Sequence, residues 1–230
     1  MSVRRALAGG LVLACLMLVQ GAVAAPNEDR LLPIDQHTSD KARTLATTHA
    51  GALRELNAGL YHCMPWVEVQ KHSIGFFRPK SIDRDDRYLS LRIYIEQDPS
   101  PAFARLRVED RASAMFSRYV GPLLRRMTKD PAVAADPDLD GFTLVLEWMK
   151  QVPRTGDRPV HETIAIFIEK ATARDYLAGA VPITEMAAKT RVLGFDGETA
   201  LGAIRLAVWD DNFVKTFKVA NYVLDPGVSC

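Results

Sequence analysis

The chain has 230 residues, 48% of them hydrophobic and 25% charged, a balance that excludes disordered, collagen-like and polytopic membrane proteins and suits one globular domain. With 29 Lys and Arg against 28 Asp and Glu, the formal net charge is +1, so the totals point to no polyanionic partner. No local motif names a reaction.

The N-terminus carries an address. Arg4 and Arg5 precede an apolar stretch from Ala6 to Val19, then Gln20, Gly21 and the small-residue run Ala22-Val23-Ala24-Ala25. A basic start, a greasy middle and an A-x-A site mark a secretory signal peptide over residues 1–24. Pro26 disfavours a cut after Ala25, so cleavage is expected after Ala24. Gly9, Gly10 and Gln20 interrupt the apolar run, which argues against a permanent span, and no later segment is apolar enough to cross a membrane. Cys15 follows Val12-Leu13-Ala14 and partly resembles a lipoprotein processing site, but Leu16-Met17-Leu18-Val19 after it are greasy where such sites turn polar. A periplasmic or secreted location is expected in preference to a lipid anchor on Cys15. Loss of the leader removes Arg4 and Arg5, leaving 27 basic against 28 acidic side chains. It also removes Cys15, so Cys63 and Cys230 remain as the sole pair in an oxidising compartment and are expected to be joined.

Residues 25–37, with Pro26, Asn27 and Pro33, read as an extended lead-in to a single domain over 38–230. From Ser39 to about Tyr61, Leu45, His49 or Leu53, Leu56 and Leu60 recur at helical spacing, with Thr38 and Ser39 as capping candidates and Pro65 as the stop. Trp66 to Phe77 and Tyr88 to Glu96 read as strands, the second alternating Leu89, Leu91, Ile93 and Ile95 with Ser90, Arg92 and Tyr94. The charged link from Arg78 to Arg87 is a solvated connection. A long helical stripe then runs through Phe103, Leu106, Ala112, Met115, Phe116, Tyr119, Val120, Leu123 and Met127. Because Pro122 has no amide donor, a kink or two abutting helices are expected at Gly121-Pro122.

Gly141 to Lys150 and Val160 to Lys170 alternate, and Pro153-Arg154-Thr155-Gly156-Asp157 between them suits an antiparallel hairpin. Thr172 and Asp175 resemble a capping box for a short helix ending at Gly179. Arg191 to Phe195 and Ala203 to Trp209 suggest a last hairpin around Asp196-Gly197, and residues 213–224 read as a strand in preference to a helix. One buried face per strand suits an antiparallel or mixed sheet of about five to seven strands with helices packed on one face, an α+β fold. Residues 78–129 hold 12 Lys and Arg against 7 Asp and Glu, and residues 130–211 hold 8 against 14, so the two parts can attract each other across one fold.

The sharpest pattern is Asp136-Pro137-Asp138-Leu139-Asp140-Gly141 with Glu147, which resembles the EF-hand calcium loop, D-x-D-x-D-G-x5-E. Three carboxylates at alternate positions, a glycine for the sharp turn and a bidentate glutamate can wrap a hard cation in oxygen. Pro131 and Pro153 shorten the helices such a loop needs, and Leu144 stands where an oxygen ligand is usual. If Phe142 to Met149 is a strand, Glu147 lies about 23 Å beyond Asp140 and cannot close on the same ion. Asp136, Asp138 and Asp140 are thus a calcium candidate set against the plainer reading of an acidic turn leading into a core strand.

His161-Glu162 begins like H-E-x-x-H, but Ala165 stands at the second histidine position, and in a strand His161 and Glu162 point to opposite faces. His62 and Cys63 lack partner spacing for zinc, and His49 reads as a packed imidazole. Hydrolase and nucleotide motifs are missing, although a dispersed site built from Asp83, Asp85, Asp86, Arg92, Tyr94 and Glu147 would leave no local trace. Arg111, Arg118 and Arg125 stand seven apart with Arg107 nearby, and on an unbroken helix would form a basic ridge able to dock another envelope protein or an anionic surface. The plainer reading is a solvated flank paired with Glu109 and Asp110. Nucleic acid is not expected, because the aromatics sit at core positions rather than between basic residues. The sequence thus reads as an exported, non-catalytic binding or assembly module, with an envelope enzyme as the alternative. A deep cleft with several carboxylates and a histidine would favour the enzyme, and a shallow surface would favour recognition.

Overall fold

The computed structural model describes residues 26–80, 83–96, 101–150, 155–156, 158–207 and 230. The expected leader and the expected strand over 213–224 lie outside them. Ser39 caps α1 (Asp40–Thr48) by accepting the Ala42 amide, and α2 (Ala50–Cys63) follows directly. One expected helix is therefore two, because His49 between them leaves helical geometry at φ −102°, ψ 16° with its ring held against Asp136 at 2.8 Å. The expected strand from Trp66 to Phe77 is likewise two, β1 (Val67–Val69) and β2 (Gly75–Phe77), both antiparallel to the same edge of β3 (Tyr88–Ile95). Between them His72 takes a positive φ of 52°, and the amides of His72, Ser73 and Ile74 turn to the carbonyls of Asp29 and Arg30 in the lead-in.

After β3 come α3 (Pro101–Ala104), α4 (Val108–Met127) and α5 (Pro131–Ala135). α4 runs unbroken through Pro122, so the expectation of two abutting helices does not hold. Pro122 is exposed, on a side where a carbonyl deprived of its donor can be hydrated. Gly121 lets the Tyr176 hydroxyl come close to the helix, since a Cβ there would displace it. The chain continues with β4 (Gly141–Met149), β5 (His161–Glu169), α6 (Lys170–Leu177), α7 (Ile183–Ala188), β6 (Arg191–Asp196) and β7 (Thr199–Ala203). α6 begins two residues before Thr172, so the expected cap lies inside the helix. β7 starts earlier than Ala203, because Gly197 at φ 57° allows a two-residue turn.

Among the described residues seven strands form one sheet in the order β1-β3-β4-β5-β6-β7, with β2 beside β1 on β3. Every pairing is antiparallel except β3 with β4. Leu89, Leu91, Ile93, Phe142, Leu144, Leu146, Ile164, Ile166 and Ile168 are buried on the helix-covered face, while Arg92, Glu147, His161 and Thr163 on the other remain partly or fully exposed. The class is α+β. On the barer face Tyr88 leans across Gly141, where a Cβ would lie 2.6 Å from its ring, and its hydroxyl donates to Glu169 at 2.6 Å. Cys63, at the end of α2, is bonded to Cys230 with a Cα separation of 5.6 Å.

Parallel neighbours cannot be joined by a tight turn, so α3, α4 and α5 carry the chain across the helical layer from β3 to β4. Arg111 of α4 fixes that crossover to the sheet. Its guanidinium donates through Nε to Glu162 Oε2 at 2.6 Å and through Nη2 to Glu162 Oε1, while Trp148 Nε1 donates to the same carboxylate at 3.1 Å. Arg111 Nη1 reaches the Leu106 and Ala104 carbonyls. Arg111 is 5% exposed and Glu162 1%, so removing either partner leaves a buried, unmatched charge. We expect Arg111→Met or Glu162→Leu to cost about 3–5 kcal/mol in urea unfolding, and the double variant R111M/E162L to lose less than either single change; additive losses would show that the pair is not coupled.

Candidate functional site

The end of the crossover shapes a cavity. Thr128 at the C-terminus of α4, α5, the turn 136–140 and one side of α6 enclose about 760 Å³, partly open to solvent, a volume typical of small-molecule sites. Pro131, Ala135, Leu139, Phe142 and Leu177 make the walls mostly apolar, and Lys170, Arg174 and Asp140 bring the charge.

The acidic turn is one wall of this cavity, and its carboxylates are tied to the fold. Asp136 Oδ2 accepts from His49 Nε2 at 2.8 Å, and its Oδ1 accepts the Asp138 amide at 2.9 Å. Asp140 Oδ2 accepts from Lys41 Nζ at 2.8 Å and from the Arg87 amide at 2.6 Å. Lys170 Nζ donates to the Asp136 carbonyl at 2.5 Å. Asp138 is exposed. Glu147 sits on β4, which begins at Gly141, and binds Arg92 and His161 on the barer sheet face. Among the described residues no group of three or more His, Cys, Asp or Glu is arranged to hold a metal ion.

The six residues of the conceivable dispersed site fall into two groups at opposite ends of β3. Asp85 binds Arg87 at 2.6 Å and Asp86 binds Arg84 at 2.9 Å before the strand begins, and Asp83 is exposed there. At the far end Arg92 Nη2 donates to Glu147 Oε2 at 2.7 Å, and Tyr94 is the register partner of Glu147. His161, which the sequence reading separated from Glu162 by facing, joins this second group: Nδ1 is 3.1 Å from Glu147 Oε1, and its ring lies 5.2 Å from that of Tyr94. Neither group belongs to the cavity lining, and the second lies on the barer sheet face.

The proposed arginine ridge is not continuous. Arg111 turns into the core, Arg107 pairs with Asp110 at 2.9 Å, and the guanidiniums of Arg118 and Arg125 lie over the rings of Tyr119 and Tyr176. The Lys170–Arg174 pair went unseen because a Lys and an Arg four apart on a short helix look like any solvated flank. Only the approach of α5 and the acidic turn, distant in sequence, makes a site of them.

No protein-family model, curated protein or solved structure matches this chain.

A buried histidine, His37, and a partly buried carboxylate, Asp136, link the region around α1 to pH. Burial alone would push the Asp136 carboxyl up, but the hydrogen bonds from His49 and the Asp138 amide, with the charges of His49 and Lys170, outweigh it and hold the group below its ordinary range. Burial pushes the His37 imidazole down, against the smaller pull of the Pro33 and Ile34 backbone. That neutral form fits its partners, since Nδ1 lies 3.1 Å from the Pro33 carbonyl and Nε2 accepts the Phe76 amide at 3.4 Å. For both groups stability is present above the unfolded-state pKa and is lost as pH falls through the folded-state value. The unfolding free energy should therefore drop first below about pH 6.5 and again below about pH 4. Urea titrations from pH 8 to pH 3 should show the first drop weakened in His37→Gln and the second in Asp136→Asn; unchanged slopes would refute the assignments.

Proposed function

We propose that this is an exported, non-catalytic binding module that holds a small, largely apolar molecule in the cavity between α5, the acidic turn and α6. The cavity itself carries the reading. Its walls are apolar, its carboxylate Asp140 already receives Lys41 and the Arg87 amide, and among the described residues no histidine lines it. General acid–base chemistry needs a proton-transferring group within reach of the bound molecule. The histidine and glutamate that do approach each other, His161 and Glu147, stand on the sheet face instead. Export is supported by the leader-like N-terminus and by the Cys63–Cys230 bond, which an oxidising compartment would preserve.

N-phenyl-1-naphthylamine, a neutral apolar fluorophore, tests the reading. It should bind the form lacking residues 1–24 at one saturable site with a blue-shifted emission. Ala135→Trp and Ala171→Trp, which fill the lining from exposed positions, should reduce that affinity at least about tenfold, the loss of one to two kcal/mol of apolar contact, with the melting temperature unchanged. Absence of saturable binding, or binding indifferent to both tryptophans, would overturn the proposal.

A further inference from the structure

We infer that the molecule held in the cavity is a single-chain amphiphile bearing one negative charge, as a medium-chain carboxylic acid does, with its head at Lys170 and Arg174 and its tail along Pro131, Ala135 and Leu177. This rests on the binding reading above and adds the polarity of the ligand.

Lys170 is half-buried at the wall. Its ammonium donates to the Asp136 carbonyl at 2.5 Å, and among the described residues no carboxylate lies within salt-bridge distance of it. An ammonium has three donors, so two remain for a ligand. Arg174, one helical turn further along α6, pairs with Asp175 at 3.0 Å, with 75% of its own side chain exposed. A pair so open to water contributes little and can be redirected cheaply. Asp140, the one carboxylate in the lining among the described residues, is held by Lys41 and the Arg87 amide and so offers little to a cationic head. Asp136 and Asp140 nevertheless stand close to Lys170, which disfavours a second negative charge on the ligand. Apolar walls with cations confined to one helix match an alkyl chain that ends in a single anion.

Displacement of N-phenyl-1-naphthylamine at pH 8 by decanoate, decanol and decyltrimethylammonium separates the possibilities. Decanoate should displace the probe at a concentration about tenfold below that of decanol, the worth of one charge-assisted hydrogen bond, and the ammonium should be weakest. Lys170→Gln should bring decanoate to the level of decanol. Arg174→Glu, an exposed change that spares the fold, should drive it below. Decanoate and decanol of equal strength, or a stronger ammonium, would overturn the inference while leaving the cavity a binding site. Failure of the probe itself to bind would overturn both.

Discussion

The parallel pairing of β3 with β4 is the constraint from which the rest of the architecture follows. Two parallel neighbours demand a long return path, and here α3, α4 and α5 form part of it. That return path covers one face of the sheet, sets the depth of the core, and delivers the acidic turn to the start of β4. The cavity is a by-product of this route: it forms where the crossover, arriving through α5, meets α6 leaving β5. A hairpin between β3 and β4 would have removed α4 from the helical layer, and the site with it.

A crossover that is only packed can slide. Arg111, Glu162 and Trp148 give this one a register, because a bidentate guanidinium and an indole donor satisfy both oxygens of one buried carboxylate. Such a pair adds modest net stability, since its desolvation offsets most of the Coulomb gain, but every misplaced alternative leaves charge unmatched in the core. The acidic turn is treated in the same way on a smaller scale. His49, at the junction of α1 and α2, and Lys41 of α1 hold Asp136 and Asp140, so the turn becomes a shaped wall. The break between α1 and α2 at His49 fits this arrangement, because that residue serves the turn in addition to its own helix.

Much of the fold was legible from alternation and spacing. The strand faces of β3, β4 and β5, the Ser39 cap and the pairing of Cys63 with Cys230 all follow from local chemistry or from the count of cysteines. The parallel pair was not legible, because the same alternating strand suits either direction. The break at His49 and the split of β1 from β2 were missed because their causes, Asp136 and the lead-in carbonyls, are distant in sequence. Arg111 was placed on a surface ridge for the same reason: a seven-residue spacing says which side of a helix an arginine occupies, and not that Glu162 waits beneath it. The cavity left still less trace, since its walls are alanines, prolines and leucines of ordinary helices and its cations look like solvated charges.

The account depends on β3 and β4 being the last part of the molecule to open, held together beneath the Arg111–Glu162–Trp148 contact. Native-state hydrogen exchange followed by NMR reads this directly. The amides of Leu91 and Leu144 and the indole proton of Trp148 should share the slowest rate, equal to that of global unfolding, while the β6–β7 hairpin exchanges much sooner. A Trp148 indole that exchanges as fast as that hairpin would contradict the account.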